Sequence, residues 1–248
     1  MSGHSKWSTI KRKKGALDAK RGKIFSRIVK EIQMAVKEGG ANPEGNPRLR
    51  LAIQNAKGAN MPKDNVERAI NKASNEAGNL QEVTYEGYAP GGVAIFIECL
   101  TDNAQRTISN IRAVYNKRGG TLGTNGSLGF IFHRKGIITV PKDDLDMETF
   151  ELDMIDAGVE DIDLTDETFI ITTTVELFGK IHKKLEEMQV KVENAELHRV
   201  AVEYKALDVD SARKVLRMIE EFEEIDDVQS VYHNLEMSDE LVAALEAE

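Results

Sequence analysis

Gly136-Ile137-Ile138-Thr139-Val140 is an uncharged run rich in β-branched residues, and the order of elements that begins there decides how the chain folds. The run predicts a strand over 137–140. Apolar residues at helical spacing predict a helix over 145–157. Two short strands come next, near 161–164 and 167–175, then a helix over 177–188 and a strand over 190–199. This β-α-β-β-α-β order is the split βαβ, or ferredoxin-like, arrangement.

The segments on either side of it look like two halves of another such unit. Upstream, strands at 85–88 and 93–100 flank Ala89-Pro90-Gly91-Gly92, a hairpin turn. Thr101-Asp102-Asn103 can cap the next helix, with Ile108, Ile111 and Val114 facing inward. A strand over 127–133 is expected after the glycine-rich stretch that begins at Gly119. Downstream, residues 200–206, 210–223 and 227–234 supply strand, helix and strand. The expectation is an α+β protein of three domains. These are a basic helical bundle (1–78), a discontinuous α/β middle domain (79–135 and 200–248) and an inserted βαββαβ domain (136–199), both α/β domains being ferredoxin-like.

The bundle begins with a helix over 18–38. Ile24, Phe25, Ile28, Val29, Ile32, Ala35 and Val36 make one apolar face, while Lys20, Lys23, Arg27, Lys30 and Lys37 project from the other side. Gly39-Gly40 stops it. Asn46-Pro47 starts a second helix as cap and first-turn proline, and a third begins after Asn60-Met61-Pro62. The apolar positions are mostly small, which predicts a thin core.

Charge is distributed unevenly. Residues 1–78 carry 17 Lys/Arg against 7 Asp/Glu, whereas residues 143–248 carry 9 against 31. A basic module that grips a polyanion and an acidic half that stays off it would produce this division. Lys11-Arg12-Lys13-Lys14 extends the basic stripe of the first helix. The candidate nucleic-acid contacts are Lys6, Trp7, Lys11, Arg12, Lys13, Lys14, Lys20, Lys23, Arg27 and Lys30. Arg106, Arg112, Lys117 and Arg118, on one helix beside the glycine-rich loop, form either a second polyanion contact or an exposed helix face.

Catalytic chemistry finds no support. Cys99, the single cysteine, shares a strand face with Val93, Ile95 and Ile97 and reads as a core thiol. A lone cysteine also excludes an intramolecular disulfide and suits a reducing compartment. The five histidines lack metal-ligand spacing. Gly119-Gly120-Thr121-Leu122-Gly123-Thr124-Asn125-Gly126 has no Gly-Lys-Ser/Thr and leads into a strand, so it reads as turn chemistry and not a phosphate loop. No metal and no cofactor is expected. No apolar run approaches the roughly 20 residues that span a bilayer.

Several stretches together resemble the YebC family. They are Met1-Ser2-Gly3-His4-Ser5-Lys6-Trp7, Asn60-Met61-Pro62-Lys63-Asp64-Asn65-Val66-Glu67-Arg68-Ala69-Ile70 and Tyr85-Glu86-Gly87-Tyr88-Ala89-Pro90-Gly91-Gly92-Val93-Ala94. Thr101-Asp102-Asn103-Ala104-Gln105-Arg106-Thr107 and Gly126-Ser127-Leu128-Gly129-Phe130 add to them. The resemblance implies a helical N-terminal domain followed by two α/β domains. It also implies a non-enzymatic, nucleic-acid-binding regulator of gene expression, described in the family as a probable DNA-binding transcriptional regulator. Other members associate with the ribosome and help difficult peptide stretches through. DNA and ribosomal RNA therefore both stand as partners, with no membrane partner and a monomer expected. The family motif starts at Met1, so a cytoplasmic location without a targeting extension is expected.

Overall fold

The computed structural model describes residues 17–75, 78–142, 145–165 and 167–246. Three helices come first: α1 (Leu17–Gly39), α2 (Pro47–Gly58) and α3 (Lys63–Asn75). Asn46 joins the first two, and its position explains both helix ends. Its Oδ1 accepts the Leu49 N–H at 3.0 Å, the N-cap bond expected from the sequence. Its Nδ2 donates to the Ala35 and Gly40 carbonyls at 2.7 and 2.8 Å, so one buried amide satisfies α1's last turn and α2's first. The core between these helices is built of Ile32, Ala35, Val36, Leu49, Ala52, Ala56, Met61, Val66 and Ala69.

The first sheet contains β1 (Gln81–Ala89), β2 (Val93–Thr101), β3 (Thr121–Leu122) and β8 (Val228–His233), in the order β3-β1-β2-β8. Strands β1 and β2 pair antiparallel from Gln81↔Thr101 to Ala89↔Val93, closing the hairpin over Pro90–Gly92. One face packs against α4 (Ala104–Arg118), α7 (Val209–Glu223) and α8 (Asp239–Glu246), burying Ile95, Ile97, Ile111, Tyr115, Leu216, Ile219 and Phe222. Cys99 belongs to this core. The opposite face carries a smaller cluster of Ala94, Phe96, Leu128, Phe132, Ala201 and Tyr232.

The second sheet holds β4 (Phe132–Pro141), β5 (Asp161–Leu164), β6 (Thr168–Thr173) and β7 (Asn194–Ala201), in the order β5-β6-β4-β7. Helices α5 (Met147–Ala157) and α6 (Val175–Glu187) pack on it through Phe150, Met154, Ile181 and Leu185. Asp146 and Thr174 cap these helices. The architecture is therefore α+β, with a helical N-terminal region and two β-sheet domains.

Packing divides the chain into two compact units. Among the described residues, one takes those up to 23, 78–133 and those from 200 onward, and the other takes those within 24–77 and 134–199. In the second unit the helices meet the sheet directly. Asn55 Nδ2 donates to Ala195 O at 2.9 Å, and Ala195 N–H donates back to Asn55 Oδ1 at 3.0 Å. Leu51 packs into the core beneath that sheet.

Two strand expectations are corrected. The strand expected over 127–133 is a run of turns, and β4 begins only at Phe132. The amides of Gly126 and Leu128 are claimed by the Glu86 carboxylate and are unavailable to a ladder. The separate strand expected over 200–206 is instead the end of β7, succeeded by a single bridge at Lys205↔Leu235.

Candidate nucleic-acid interface

Lys6, Trp7, Lys11, Arg12, Lys13 and Lys14 lie outside the described residues, as does the side chain of Lys20. The remaining candidates on α1 do not form the clean outer stripe that spacing implies. Ile24 is 44% exposed, while Lys23, Arg27 and Lys30 are half-buried. Lys23 Nζ lies 3.0 Å from Glu224 Oε2, an ion pair whose acid is well solvated and which adds little stability. Among the side chains described on this helix, Arg21 and Lys37 are exposed cations.

Sequence reasoning missed a basic edge on α3. Arg68 and Lys72, both exposed, stand one turn apart and rim a shallow cleft floored by Phe25, Val29, Met61 and Ala69. Their i, i+4 spacing was the available signal. Lys63, at the start of the same helix, pairs with Glu67 at 3.3 Å.

The four candidates on α4 divide by role. Asn103 caps the helix through the Arg106 N–H, as expected. Arg106 itself turns back to Asp227, with Nη2 at 2.9 Å from Oδ2 and 3.0 Å from Oδ1, and also reaches Asp102 at 2.8 Å. Asp227 is 4% exposed and also accepts the Thr107 hydroxyl at 2.9 Å. Hydrogen bonds donated to Asp227 and then Asp102 hold the Arg106 guanidinium still more firmly protonated. At the helix's other end Lys117 and Arg118 converge on Glu221, Lys117 at 2.8 Å, and their hydrogen bonds pull the Glu221 carboxyl down to about 2. Arg106, Lys117 and Arg118 thus hold the fold's own carboxylates, whereas Arg112 is exposed.

Beside α4, Glu86 organises the glycine-rich loop from inside β1. The carboxylate is 3% exposed and accepts Gly126 N–H at 2.7 Å and Leu128 N–H at 2.6 Å, with the Ser127 hydroxyl at 3.4 Å. Its own carbonyl accepts Gly123 N–H at 2.8 Å. Gly126 has φ +87°, a left-handed conformation natural to glycine. Gly87 must also be glycine, because a Cβ there would lie 2.4 Å from the Thr121 carbonyl. Two of the stretches behind the family resemblance, Tyr85–Tyr88 and Gly126–Phe130, are therefore the two sides of one hydrogen-bonded junction. Its partners lie 40 to 42 residues apart, so spacing gave no sign of it.

Among the described residues no group of three or more His, Cys, Asp or Glu side chains could hold a metal ion. No described helix is long and apolar enough to cross a membrane.

Comparison with known proteins agrees with this arrangement. Residues 5–76 match the family described as "TACO1/YebC protein N-terminal domain", and residues 80–235 match "TACO1/YebC second and third domain". A probable transcriptional regulatory protein of Rubrobacter xylanophilus is 48% identical over 246 residues, covering 98% of each chain. One from Chlorobaculum parvum is 47% identical over the whole of both chains. Among solved structures, a conserved hypothetical protein from Aquifex aeolicus superposes with a TM-score of 0.83 at 42% identity, over 90% of this chain and 93% of that one. Both halves of the sequence, matched along nearly their whole length, make this chain a member of the TACO1/YebC family.

Proposed function

We propose that the protein is a non-enzymatic, nucleic-acid-binding regulator of gene expression that grips the phosphate backbone through its N-terminal region. The observation that carries this is the charge division, 17 Lys/Arg against 7 Asp/Glu in residues 1–78 and the reverse excess after residue 142. Phosphate contacts from Lys11, Arg12, Lys13 and Lys14, joined by Lys6, Trp7, Lys20 and the cations of α1, give affinity with little sequence preference. Relatives described as probable transcriptional regulatory proteins support a DNA-binding role in transcription. A second reading is a ribosome-associated factor that binds ribosomal RNA and relieves stalling. The 31 Asp/Glu of residues 143–248 favour it, since an acidic half sits more readily among basic ribosomal proteins than along a duplex.

The test measures binding of duplex DNA and of folded RNA against salt, for the native chain and for a variant with Lys11, Arg12, Lys13 and Lys14 replaced by Gln. Removing four cations should flatten the slope of log K against log salt by roughly 3, with the melting temperature unchanged. Equal slopes in both proteins would refute the assignment. Cross-linking in cells separates the two readings, because promoter DNA without ribosomal RNA supports transcription and the reverse supports translation.

The domain division belongs to the same proposal: a helical domain over 1–78, a discontinuous middle domain over 79–135 and 200–248, and a ferredoxin-like insert over 136–199. The strand order β5-β6-β4-β7 supports the ferredoxin-like insert, and the core of the first sheet, distinct from that of the second, supports the discontinuous middle domain. Replacing residues 136–198 by a Gly/Ser linker should leave the first sheet folded by circular dichroism, and global unfolding would count against the insertion.

A further inference from the structure

Helix α5 has apolar residues on two faces, and the fold covers one of them. Phe150, Met154 and Ala157 are buried in the core of the second sheet. At about 100° per residue Leu152 and Ile155 fall on the opposite side of the helix, and they are 64% and 60% exposed. A single exposed apolar residue is ordinary. Two large aliphatic side chains three positions apart form a ridge, because residues at that spacing are neighbours on a helix surface. A helix apolar on two faces has two surfaces to cover.

The charges on that outward face are all acids. Glu148 stands one turn before Leu152, Glu151 one turn before Ile155 and Asp156 one turn after Leu152. Glu148 and Asp156 are exposed, Glu151 is half-buried, and the helix contains no Lys, Arg or His. Lys184 of α6 lies 3.7 Å from Asp153, and Lys135 of β4 lies 2.6 Å from Glu160. Among the described residues no ion pair reaches Glu148, Glu151 or Asp156. Asp156 stands in the last turn, where the helix dipole disfavours an anion. The bare ridge and this uncompensated acid are both unfavourable in the free protein, and a partner with an apolar strip edged by cations relieves both. A phosphate backbone or an anionic bilayer is repelled by the same acids. A neutral apolar partner would cover the ridge but take water from the carboxylates without replacing it.

We propose that the outward face of α5 is a docking surface for a cationic amphipathic segment of another protein, whose apolar stripe seats on Leu152 and Ile155 while its Lys or Arg side chains meet Glu148, Glu151 and Asp156. Aliphatic contact supplies the affinity, and the acids select the sign of the partner's charge. This goes beyond the nucleic-acid reading above and does not depend on it, since it uses a different part of the chain and a ligand of opposite charge.

The experiment uses the full chain and three fluorescent peptides of about 18 residues, five helical turns. The first carries leucines at helical spacing along one face and lysines elsewhere. The second has the same composition with the leucines scattered, and the third replaces each lysine of the first by glutamate. The native protein should bind the first more tightly than the second by roughly 10- to 100-fold, the gain from covering two partly exposed aliphatic side chains, and should not bind the third. Leu152→Ala with Ile155→Ala, which keeps a strong helix former at both positions, should remove that preference at an unchanged melting temperature. Glu148→Gln, Glu151→Gln and Asp156→Asn in one chain should weaken the first peptide and flatten its salt dependence. Equal binding of the first two peptides, or of neither, by the native chain would overturn the proposal. So would a preference that survives the double Ala variant, which would put the apolar site elsewhere. Tight binding of the third peptide would mean that the acids select nothing, and would overturn it too. Sedimentation tests the other occupant: self-association of the native chain that the double Ala variant abolishes would make this face a contact between copies, against a separate cationic partner.

Discussion

Glu86 is the side chain whose loss should do most to the loop, and the structure gives the size of the effect. Its two oxygens take two backbone amides at 2.7 and 2.6 Å, and the Leu128 amide belongs to a fully buried residue. Glu86→Ala leaves both donors without an acceptor, at about 1–3 kcal/mol each. The carboxylate's own net contribution goes as well, so a total of about 3–5 kcal/mol is expected. Glu86→Gln keeps one oxygen for one amide and turns an NH2 group towards the other, so about half of that loss should remain. Against the roughly 5–15 kcal/mol that stabilises a typical domain, either change is measurable by urea unfolding. Hydrogen exchange locates it: the Gly126 and Leu128 amides should lose protection while those of β2 keep theirs. A Glu86→Ala protein within about 1 kcal/mol of native, with Leu128 still protected, would refute the reasoning.

Arg106→Gln should lower the melting temperature because it takes the charge partner from the buried Asp227 carboxylate, and Asp227→Asn in the same chain should recover part of the loss in a double-mutant cycle. Equal losses in single and double variants would mean no coupling. Asn46→Ala removes the α2 cap and orphans the Ala35 and Gly40 carbonyls, so thermal unfolding should show a loss of about 2–3 kcal/mol. His233, fully desolvated within β8, has its pKa lowered from 6.5 to about 4. An unfolded chain therefore takes up a proton that the folded one refuses, so this contribution is complete above pH 6.5 and is lost as pH falls towards 4. Between pH 6.5 and 4.5 stability should drop by about 2–3 kcal/mol from this group. His182, lowered in the same direction by burial, acts with the same sign. His233→Leu should flatten the curve over that interval, and an unchanged slope would rule the group out. Glu221 does not confuse the reading, since its depressed pKa brings it into play only below its ordinary value of 4.5.

What could be read in the sequence was what neighbouring residues decide between themselves. Asn46-Pro47 and Asn103 cap helices through bonds to amides three residues on, and Ala89–Gly92 closes a hairpin between adjacent strands. The alternation that put Cys99 beside Ile95 and Ile97 needs nothing beyond a strand's period of two. The features that spacing did not show depend on distant partners. Glu86 looks like a solvated charge until the loop 40 residues later closes on it. Arg106 looks like a phosphate ligand until Asp227, 121 residues away, is set beneath it. The strand expected over 127–133 failed for the same reason, since β propensity describes a side chain's fit to a pleated surface and cannot register that a carboxylate has taken the backbone's donors.

The same distinction changes which cations count as candidate contacts. A lysine or arginine in a basic stretch is available to phosphate only if the fold has not already used it. Arg106, Lys117, Arg118 and, more loosely, Lys23 have carboxylate partners within the chain. For these, a phosphate must compete with a carboxylate already in place, and for Arg106 winning would leave Asp227 buried and uncompensated. Arg21, Arg68, Lys72 and Arg112 are exposed and face a smaller penalty. Replacing Arg68 and Lys72 together should therefore lower affinity and the salt slope, the slope by roughly 1–2, with stability held within about 0.5 kcal/mol. Replacing Arg106 should lower stability first. If affinity in the Arg106 variant fell with no change in melting temperature, while the Arg68/Lys72 variant bound like native, the division between structural and available cations would be wrong.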